Sequence, residues 1–340
     1  MSASLPSLPP GSPGLERRPD RTGLLVLDKS VAMTSHDVVD RVRRRLRVRS
    51  AGHLGTLDPG ASGLLLVAVG AATRCAPVWQ GGEKTYQGTV RFGVVTASQD
   101  LDGEVLERHP VDLDEPRVRA AAASFVGEIE QIPPMVSALK VQGQRLYRLA
   151  RRGITVERAP RSTRIVSWEW LGFDFPSAEF RVRCSSGTYV RTLVHDLGQK
   201  LGTGAALAAL RRLRSEPFGL ERAIGMSDLD CLSPDDVWAR AGLGMEEALS
   251  GWPSLRLDSR GVAAIGHGAP AVIAEQGAPA SACGDGSALP IAKGPRSVVF
   301  LGPDGEVLAL GELERGPEPG AWLARPHVVF PWALRSGRSE

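Results

Sequence analysis

AGHLGTLDPGASGLLLVAVG, residues 51–70, joins two unlike halves. The first is a polar, glycine-rich loop with one carboxylate, Asp58, between Leu57 and Pro59. The second, Leu64 to Val69, is an unbroken apolar run that reads as a buried strand. Asp-Pro-Gly is a common turn, with Asp at its first position and Pro presetting the next φ. Asp58 is therefore either a turn former or a reactive group. Its flanks (His53, Gly55, Thr56, Gly60, Ser62 and Gly63) are small or polar, which permits close approach by a ligand. A loop that opens onto a rigid strand is also how reactive side chains are usually presented. From the pattern alone both readings stand.

Working outward, GLLVLDKS at 23–30 reads as a short buried strand ending in a charged loop. Thr34 and Asp37 have capping-box spacing, and Val38, Val39, Val42 and Leu46 follow at helical spacing with arginines on the other faces. After the apolar run, KTYQGTVRFG alternates: Tyr86, Val90 and Phe92 on one side, Thr85, Gln87, Thr89 and Arg91 on the other, a half-buried strand. Asp114 and Pro116 open a helix expected to reach about Phe125, with Gly127 as its stop. Residues 129–153 form a Pro-broken loop followed by a short basic helix, an insertion into the α/β alternation. Strands are expected near 164–170 and 179–184. Thr188 can then cap a helix whose stripe is Val190, Leu193, Val194, Leu197 and Leu201. The following AALAALRRL reads as a further helix.

Composition shifts near residue 250, where SGWPSL reads as a linker. Residues 254–336 look like a small all-β module, with a hairpin turning at Pro303-Asp304-Gly305. Residues 262–293 are Ala/Gly-rich and barely patterned. The first 20 residues, rich in Pro, Ser and Gly, read as a disordered tail without the apolar core of a signal peptide. The expected division is thus a tail at 1–20, a large domain at 21–250 and a small one at 251–340.

The whole chain sets bounds. With 340 residues, 42% hydrophobic and 23% charged, it has an ordinary globular composition. No run of about 18 apolar residues occurs, so no membrane span is expected. Cys75, Cys184, Cys231 and Cys283 are too scattered for a metal knuckle or a redox pair, and a reducing cytoplasm fits them. The six histidines form no metal-binding set either. Net charge is only +3, but six arginines fall in residues 41–49, four in 145–152 and three in 211–214. Such clusters are either solvated helix faces or contacts to a polyanion, whose phosphates arginine neutralises well.

Further residues carry open alternatives. Tyr86 is either core or a ring that stacks on a flat base. Arg191, in a helical first turn, is disfavoured by the helix dipole, so it either meets a partner carboxylate or faces water. His53 is a turn residue or a ligand contact. Nucleophile elbow, Walker loop and dinucleotide fingerprint are all missing from the sequence, so acyl transfer and nucleotide-cofactor chemistry are not suggested.

Five blocks occur in order: GLLVLDKSVAMTSHDVV, RSAGHLGTLDPGASGLLLVAVGAATR, KTYQGTVRFG, IPPMVSALKVQGQRLYRLARRG and CSSGTYVRTLVHDLGQKLGTGAALAALRRLR. Together, across residues 23–214, they closely resemble the bacterial TruB family of tRNA pseudouridine synthases. The resemblance implies an α+β catalytic domain with a central mixed or antiparallel sheet flanked by helices, and a small C-terminal β-barrel of PUA-like type. It implies conversion of uridine 55 in the T-loop of tRNA to pseudouridine, with the base flipped out. Asp58 matches the family's catalytic aspartate, and Tyr86 the tyrosine that stacks on the flipped base. Tyr189, Arg191 and Leu210 match the uracil pocket, Arg191 pairing with Asp58, and His53 matches a histidine that contacts RNA. Residues 129–153 match the insertion that clamps the stem-loop. One departure stands in TASQDLDG, 96–103, where Ala97 and Gln99 replace an Asp and a Ser that the family often has.

The isomerisation breaks C1′–N1 and makes C1′–C5 without gain or loss of atoms, so it requires no cofactor, metal or ATP. One carboxylate suffices, as nucleophile or as base. The implied partner is the T arm of tRNA, bound by a monomer with no obligatory protein partner and no membrane. An RNA-folding protein that clamps the tRNA elbow is the alternative of another class. A guide-RNA-dependent relative is opposed by the insertion at 129–153.

Overall fold

The computed structural model describes residues 21–274, 297–316, 318 and 321–333, apart from single positions at 138, 142, 147, 148, 150, 151 and 155. The expected tail at 1–20 lies outside these residues, as do Cys283 and half of the basic stretch at 145–152.

In chain order the strands are β1 (Gly23–Lys29), β2 (Ala51–His53), β3 (Ala61–Val69), β4 (Lys84–Phe92), β5 (Val94–Thr96), β6 (Val105–Arg108), β7 (Gly127–Gln131), β8 (Lys140–Val141), β9 (Gln144–Arg145), β10 (Arg161–Asp174), β11 (Ser177–Cys184), β12 (Ala205–Ser215), β13 (Ile224–Gly225) and β14 (Gly242–Gly244). Five more follow: β15 (Ser254–Arg256), β16 (Ala271–Ala274), β17 (Ser297–Leu301), β18 (Val307–Arg315) and β19 (Ala321–Val329). The helices are α1 (Ser35–Leu46), α2 (Ala76–Gln80), α3 (Glu115–Ala123), α4 (Val190–Leu201), α5 (Met226–Cys231), α6 (Pro234–Ala241), α7 (Met245–Ala248) and α8 (Ser259–Gly266).

A ten-stranded sheet runs β13-β1-β3-β12-β4-β11-β10-β7, with β14 on β1 and β2 on β3. It is mixed: β1–β13 and β3–β12 are parallel, and β1–β3, β4–β12, β4–β11, β10–β11 and β7–β10 antiparallel. The apolar run of β3 explains itself here. Leu65, Val67 and Val69 point into one core with α1 and α4, through Val38, Val42, Leu193 and Leu197. Leu64, Leu66 and Ala68 point into a second core with Trp79 and Trp252. A strand covered on both faces needs no polar alternation. Each fully buried leucine contributes about 1.5–3 kcal/mol.

The capping box of α1 is formed: Asp37 N–H donates to Thr34 Oγ1 at 3.1 Å, and Thr34 N–H to the Asp37 carboxylate at 2.8 Å. The expected helix at AALAALRRL is instead β12, a central strand between β3 and β4. Helix-favouring alanine misled the reading, because small residues serve close packing at this point. Gly88 of β4 stands so close that a Cβ on it would lie 2.9 Å from the Ala209 carbonyl oxygen. Gly63 of β3 has φ +99°, and a Cβ on it would meet the Arg212 carbonyl oxygen at 2.3 Å, so only glycine allows β3 to pair with β12. The helix cap also differs. Tyr189, not Thr188, is the N-cap of α4 and makes no side-chain cap bond, while Thr188 Oγ1 donates to the Ser185 carbonyl at 2.9 Å.

The C-terminal five strands form a second, curled sheet, β15-β17-β18-β19-β16, with the expected hairpin at β17–β18. It is not all-β: α8, capped by Asp258 accepting from Gly261 N–H at 2.7 Å, packs on it through Val262 and Ile265. Val299, Val307, Leu310 and Phe330 of this unit join the second core of the large sheet. Among the described residues no helix is long and apolar enough to cross a membrane.

Candidate functional site

Asp58 sits in the connection between β2 and β3. The Ala61 N–H donates to the Asp58 carbonyl at 3.0 Å and closes the turn that the sequence announces. Two further ties fix the loop from outside. Ala32 N–H donates to the Pro59 carbonyl at 2.9 Å. Ser35, buried in the first turn of α1, accepts from Leu57 N–H at 2.8 Å and donates to the Leu57 carbonyl at 3.1 Å. The residue before Asp58 is thus held at both of its backbone polar groups by one hydroxyl.

Arg191 reaches this loop from the first turn of α4. Its side chain is only 5% exposed, and its Nε lies 2.9 Å from Asp58 Oδ2. Nη1 stands 3.5 Å from Asp100 Oδ2 and donates to the Ser98 carbonyl at 2.8 Å. Nη2 donates to the Val136 carbonyl at 2.8 Å. The guanidinium therefore ties the Asp58 turn, the 98–100 loop and the segment at Val136 to α4, and the helix-dipole penalty is outweighed by two carboxylates. The 96–103 loop is held in turn. Gln99, at φ +67°, accepts from Thr192 Oγ1 at 2.8 Å. Leu207 N–H of β12 donates to the Gln99 carbonyl, and Leu101 N–H to the Leu207 carbonyl, each at 3.0 Å.

Two cavities meet at this ion pair. One, of about 290 Å³, is lined by the Pro59–Gly60 turn, Ser98, Asp100–Gly103 and Leu207–Leu210. The other, of about 230 Å³, is lined by Asp58, Lys84, Tyr86, Tyr189, Arg191, Leu210 and Arg212, with Ser137 and the Gly55–Leu57 segment. Five of the six residues singled out in the sequence thus share one cavity. His53 does not line it; it lies on β2 opposite Val67. Tyr86 is buried, on the apolar side of β4 as its alternation requires, and its neighbour across the ladder is Arg212. Tyr189 is fixed by its backbone, whose N–H donates to Gln131 Oε1 at 3.0 Å and whose carbonyl accepts from Gln131 Nε2 at 3.2 Å. Burial raises both tyrosine hydroxyls above their ordinary titration range.

The sequence reading missed three buried cations. Lys29 ends β1 and donates to the Ser30 and Met33 carbonyls at 2.9 and 2.7 Å. Lys84 donates to the Gln80 and Gly82 carbonyls at 2.9 and 2.6 Å. Burial lowers each ammonium to about 8, against some support from Asp58 for Lys29. Arg212 donates to the Leu64 carbonyl at 2.7 Å and the Gly55 carbonyl at 3.1 Å. Nothing in the primary structure marks these three as buried, except that Lys29 ends an apolar strand.

The three arginines at 211–214 are all engaged within the chain. Arg211 is bidentate to Asp28 at 3.0 and 2.6 Å, Arg214 pairs with Glu216 and Glu221, and Arg212 points inward. In the 41–49 cluster Arg41 and Arg43 pair with Asp230 and Asp40, while Arg44, Arg47 and Arg49 are exposed.

Known proteins resemble this chain over most of its length. Residues 43–190 match the family model of the TruB family pseudouridylate synthase N-terminal domain, and residues 191–249 that of the tRNA pseudouridylate synthase B C-terminal domain. The tRNA pseudouridine synthase B of Opitutus terrae is 47% identical over 227 residues, 66% of this chain and 94% of that protein. That of Syntrophotalea carbinolica is 43% identical over 249 residues, 73% of this chain and 81% of that protein. Among solved structures, a Cbf5-Nop10-Gar1 complex aligns with a TM-score of 0.68 at 28% identity, covering 92% of this chain and 88% of that one. An H/ACA RNP bound to a substrate RNA containing 2′-deoxyuridine aligns with a TM-score of 0.66 at 27% identity, covering 93% and 88%. The matched segments run without a break from α1 through α7 and carry every side chain of the cavity beside Asp58 from Gly55 onward; the chain belongs to the TruB family of tRNA pseudouridine synthases.

Proposed function

We propose that the chain converts uridine 55 in the T-loop of tRNA to pseudouridine, with Asp58 as its catalytic group and without an obligatory protein partner. The observation that carries this reading is the single cavity in which Asp58, Tyr86, Tyr189, Arg191 and Leu210 meet. A base inside a stacked loop cannot reach Asp58, so the uridine flips out at a cost of a few kcal/mol. Stacking on the Tyr86 ring returns about 1–3 kcal/mol of that. Arg191, clasping one oxygen of Asp58, orients the carboxylate toward the ribose. Asp58 then either attacks C1′ or removes a ribose proton, and both routes release the uracil for rotation and reattachment through C5. The insertion at 129–153 lies beside the cavity through Val136 and Ser137 and is assigned to holding the stem-loop.

Purified chain incubated with unmodified tRNA is expected to place pseudouridine at one T-loop position. Asp58→Asn is expected to bind the same tRNA and form none. Turnover by that variant, or modification elsewhere in the tRNA, would overturn the assignment.

A further inference from the structure

Among the described residues, the buried charged side chains are Lys29, Lys84, Arg191 and Arg212, at 0, 6, 4 and 3% exposure, and no buried Asp or Glu accompanies them. Three of the four line the cavity of Asp58 and Tyr86, and Lys29 is close enough to feel the Asp58 charge. Among the described residues these four buried cations gather around one cavity. Arg191 is accounted for by Asp58 and Asp100. Lys29 and Lys84 relieve the strain by holding their protons weakly.

Arg212 has neither solution. Its neighbours Arg211 and Arg214 are ion-paired, but Arg212 forms no ion pair with a described carboxylate. A guanidinium does not deprotonate, so the charge stays. Its bonds to the Leu64 and Gly55 carbonyls and to the Tyr86 hydroxyl use part of five N–H donors and would fasten the loop and the ring without needing a full positive charge. The charge is felt around the cavity: it pushes down both lysine ammoniums. An uncompensated buried cation is costly, and it stands where the flipped base is proposed to lie.

We infer that Arg212 is a further catalytic residue, whose buried guanidinium stabilises the negative charge that the uracil ring carries while it is detached from the ribose. The inference rests on the proposed pseudouridine synthase reading of the same cavity. On the sugar the two roles of Asp58 differ: as nucleophile its carboxylate forms an ester bond to C1′ that breaks when C5 attacks, and as base it takes the C2′ proton and returns it as C1′–C5 forms; on the uracil the balance is the same. The C1′–N1 bond breaks and its electron pair leaves on uracil, as an anion spread over N1, O2 and O4. The ring turns, C5 gives an electron pair to C1′, the proton on C5 departs, and N1 takes up a proton. The product is neutral, so the anion exists only between the two bonds. A fixed, desolvated cation that needs no reorganisation favours that interval over the bound substrate.

The test uses the full chain, its Arg212→Met and Arg212→Lys variants, and tRNA carrying uridine or 5-fluorouridine at the target. Fluorine stabilises the uracil anion itself, so it replaces part of what Arg212 supplies. With uridine, Arg212→Met is expected to lose about 100-fold in the single-turnover rate of glycosidic cleavage. Its tRNA affinity should stay within about threefold, and Arg212→Lys should recover at least about tenfold. With 5-fluorouridine the loss should shrink several-fold. A merely structural role would slow both substrates equally, and equal losses overturn the inference. An unchanged rate in Arg212→Met overturns it as well. Should Arg212→Met not fold, Arg212→Lys decides by the same ratio between the two substrates. If the wild-type chain forms no pseudouridine, the functional reading itself fails; if wild type and Asp58→Asn behave as proposed and the substrate ratio does not change, only the role of Arg212 fails.

Discussion

The two cavities that meet at Asp58 share Asp58, Arg191 and Leu210 and otherwise differ in kind. One is walled by the 98–103 loop, whose Asp100 and Asp102 keep contact with solvent and whose shape is set by backbone bonds to β12. The other is walled by sheet side chains, Tyr86 and Arg212 among them, with its cations withdrawn from water. Acid is solvated on one side and base is buried on the other. Buried charge acts at the strength of a low dielectric, whereas solvated charge is screened. On the proposed reading, the chemistry belongs to the basic side and orientation and contact to the acidic side. Arg191 joins the two, through Asp58 and Asp100.

Cutting that link gives the largest effect. Arg191→Met keeps much of the side chain's apolar volume but frees the Asp58 carboxylate and leaves the Ser98 and Val136 carbonyls without their donor. The single-turnover rate is expected to fall about 100- to 1,000-fold, the range for removing a preorganised electrostatic partner. A tRNA affinity within about threefold of wild type would locate the loss in the chemical step. If affinity falls as far as rate, the two cavities act as one binding surface and the contrast between them does not hold.

The sequence made some of this plain and hid the rest for physical reasons. Tyr86 was legible as inward-facing because β4 is buried on one face and alternates. The α1 stripe and its cap were legible because a helix with one wet side must repeat every three to four residues. β12 was not, because a central strand flanked by helices and tight glycine contacts carries alanines and no alternation. Asp58 and Arg191 were recognisable as candidates through the five-block resemblance, yet their 2.9 Å contact depends on α4 and the β2–β3 loop lying 133 residues apart in sequence. Arg212 was hidden most thoroughly. In an Arg-rich chain the run LRRLR looks like surface, and only the sheet register shows that its middle arginine faces Tyr86.

The basic side should also reveal itself through pH. Lys29 titrates at about 8 in the folded chain against 10.5 when unfolded, because burial disfavours its charge. Between those values the unfolded chain holds a proton that the folded chain has released, so stability rises with pH across the window. Below about 8 both states are charged and the contribution is flat, at its least favourable. The effect is at most about 3 kcal/mol, since a tenfold change in proton affinity corresponds to about 1.4 kcal/mol. Lys84 moves in the same direction, so the measurement compares wild type with Lys29→Met. The melting-temperature gap is expected to shift in favour of wild type between about pH 7 and pH 10. A gap independent of pH would mean that Lys29 is not held as a desolvated cation, and the charge asymmetry of the two cavities would be weaker than drawn.

The smallest expected effect concerns the loop that both cavities share. Ser35→Ala removes one hydroxyl and leaves the Leu57 N–H and carbonyl without their buried partner, a loss of about 1–2 kcal/mol in stability. Thr34→Ala, one residue earlier, removes the α1 cap at a similar cost of about 1 kcal/mol but touches nothing near Asp58. The pair separates stability from positioning. If the Asp58 turn is held from outside by Ser35, Ser35→Ala slows the chemical step several-fold while Thr34→Ala leaves it unchanged at equal loss of melting temperature. If the two variants slow the reaction alike, Ser35 adds nothing to positioning, and the turn is held by the Arg191 ion pair and the backbone bonds at Ala32 and Ala61.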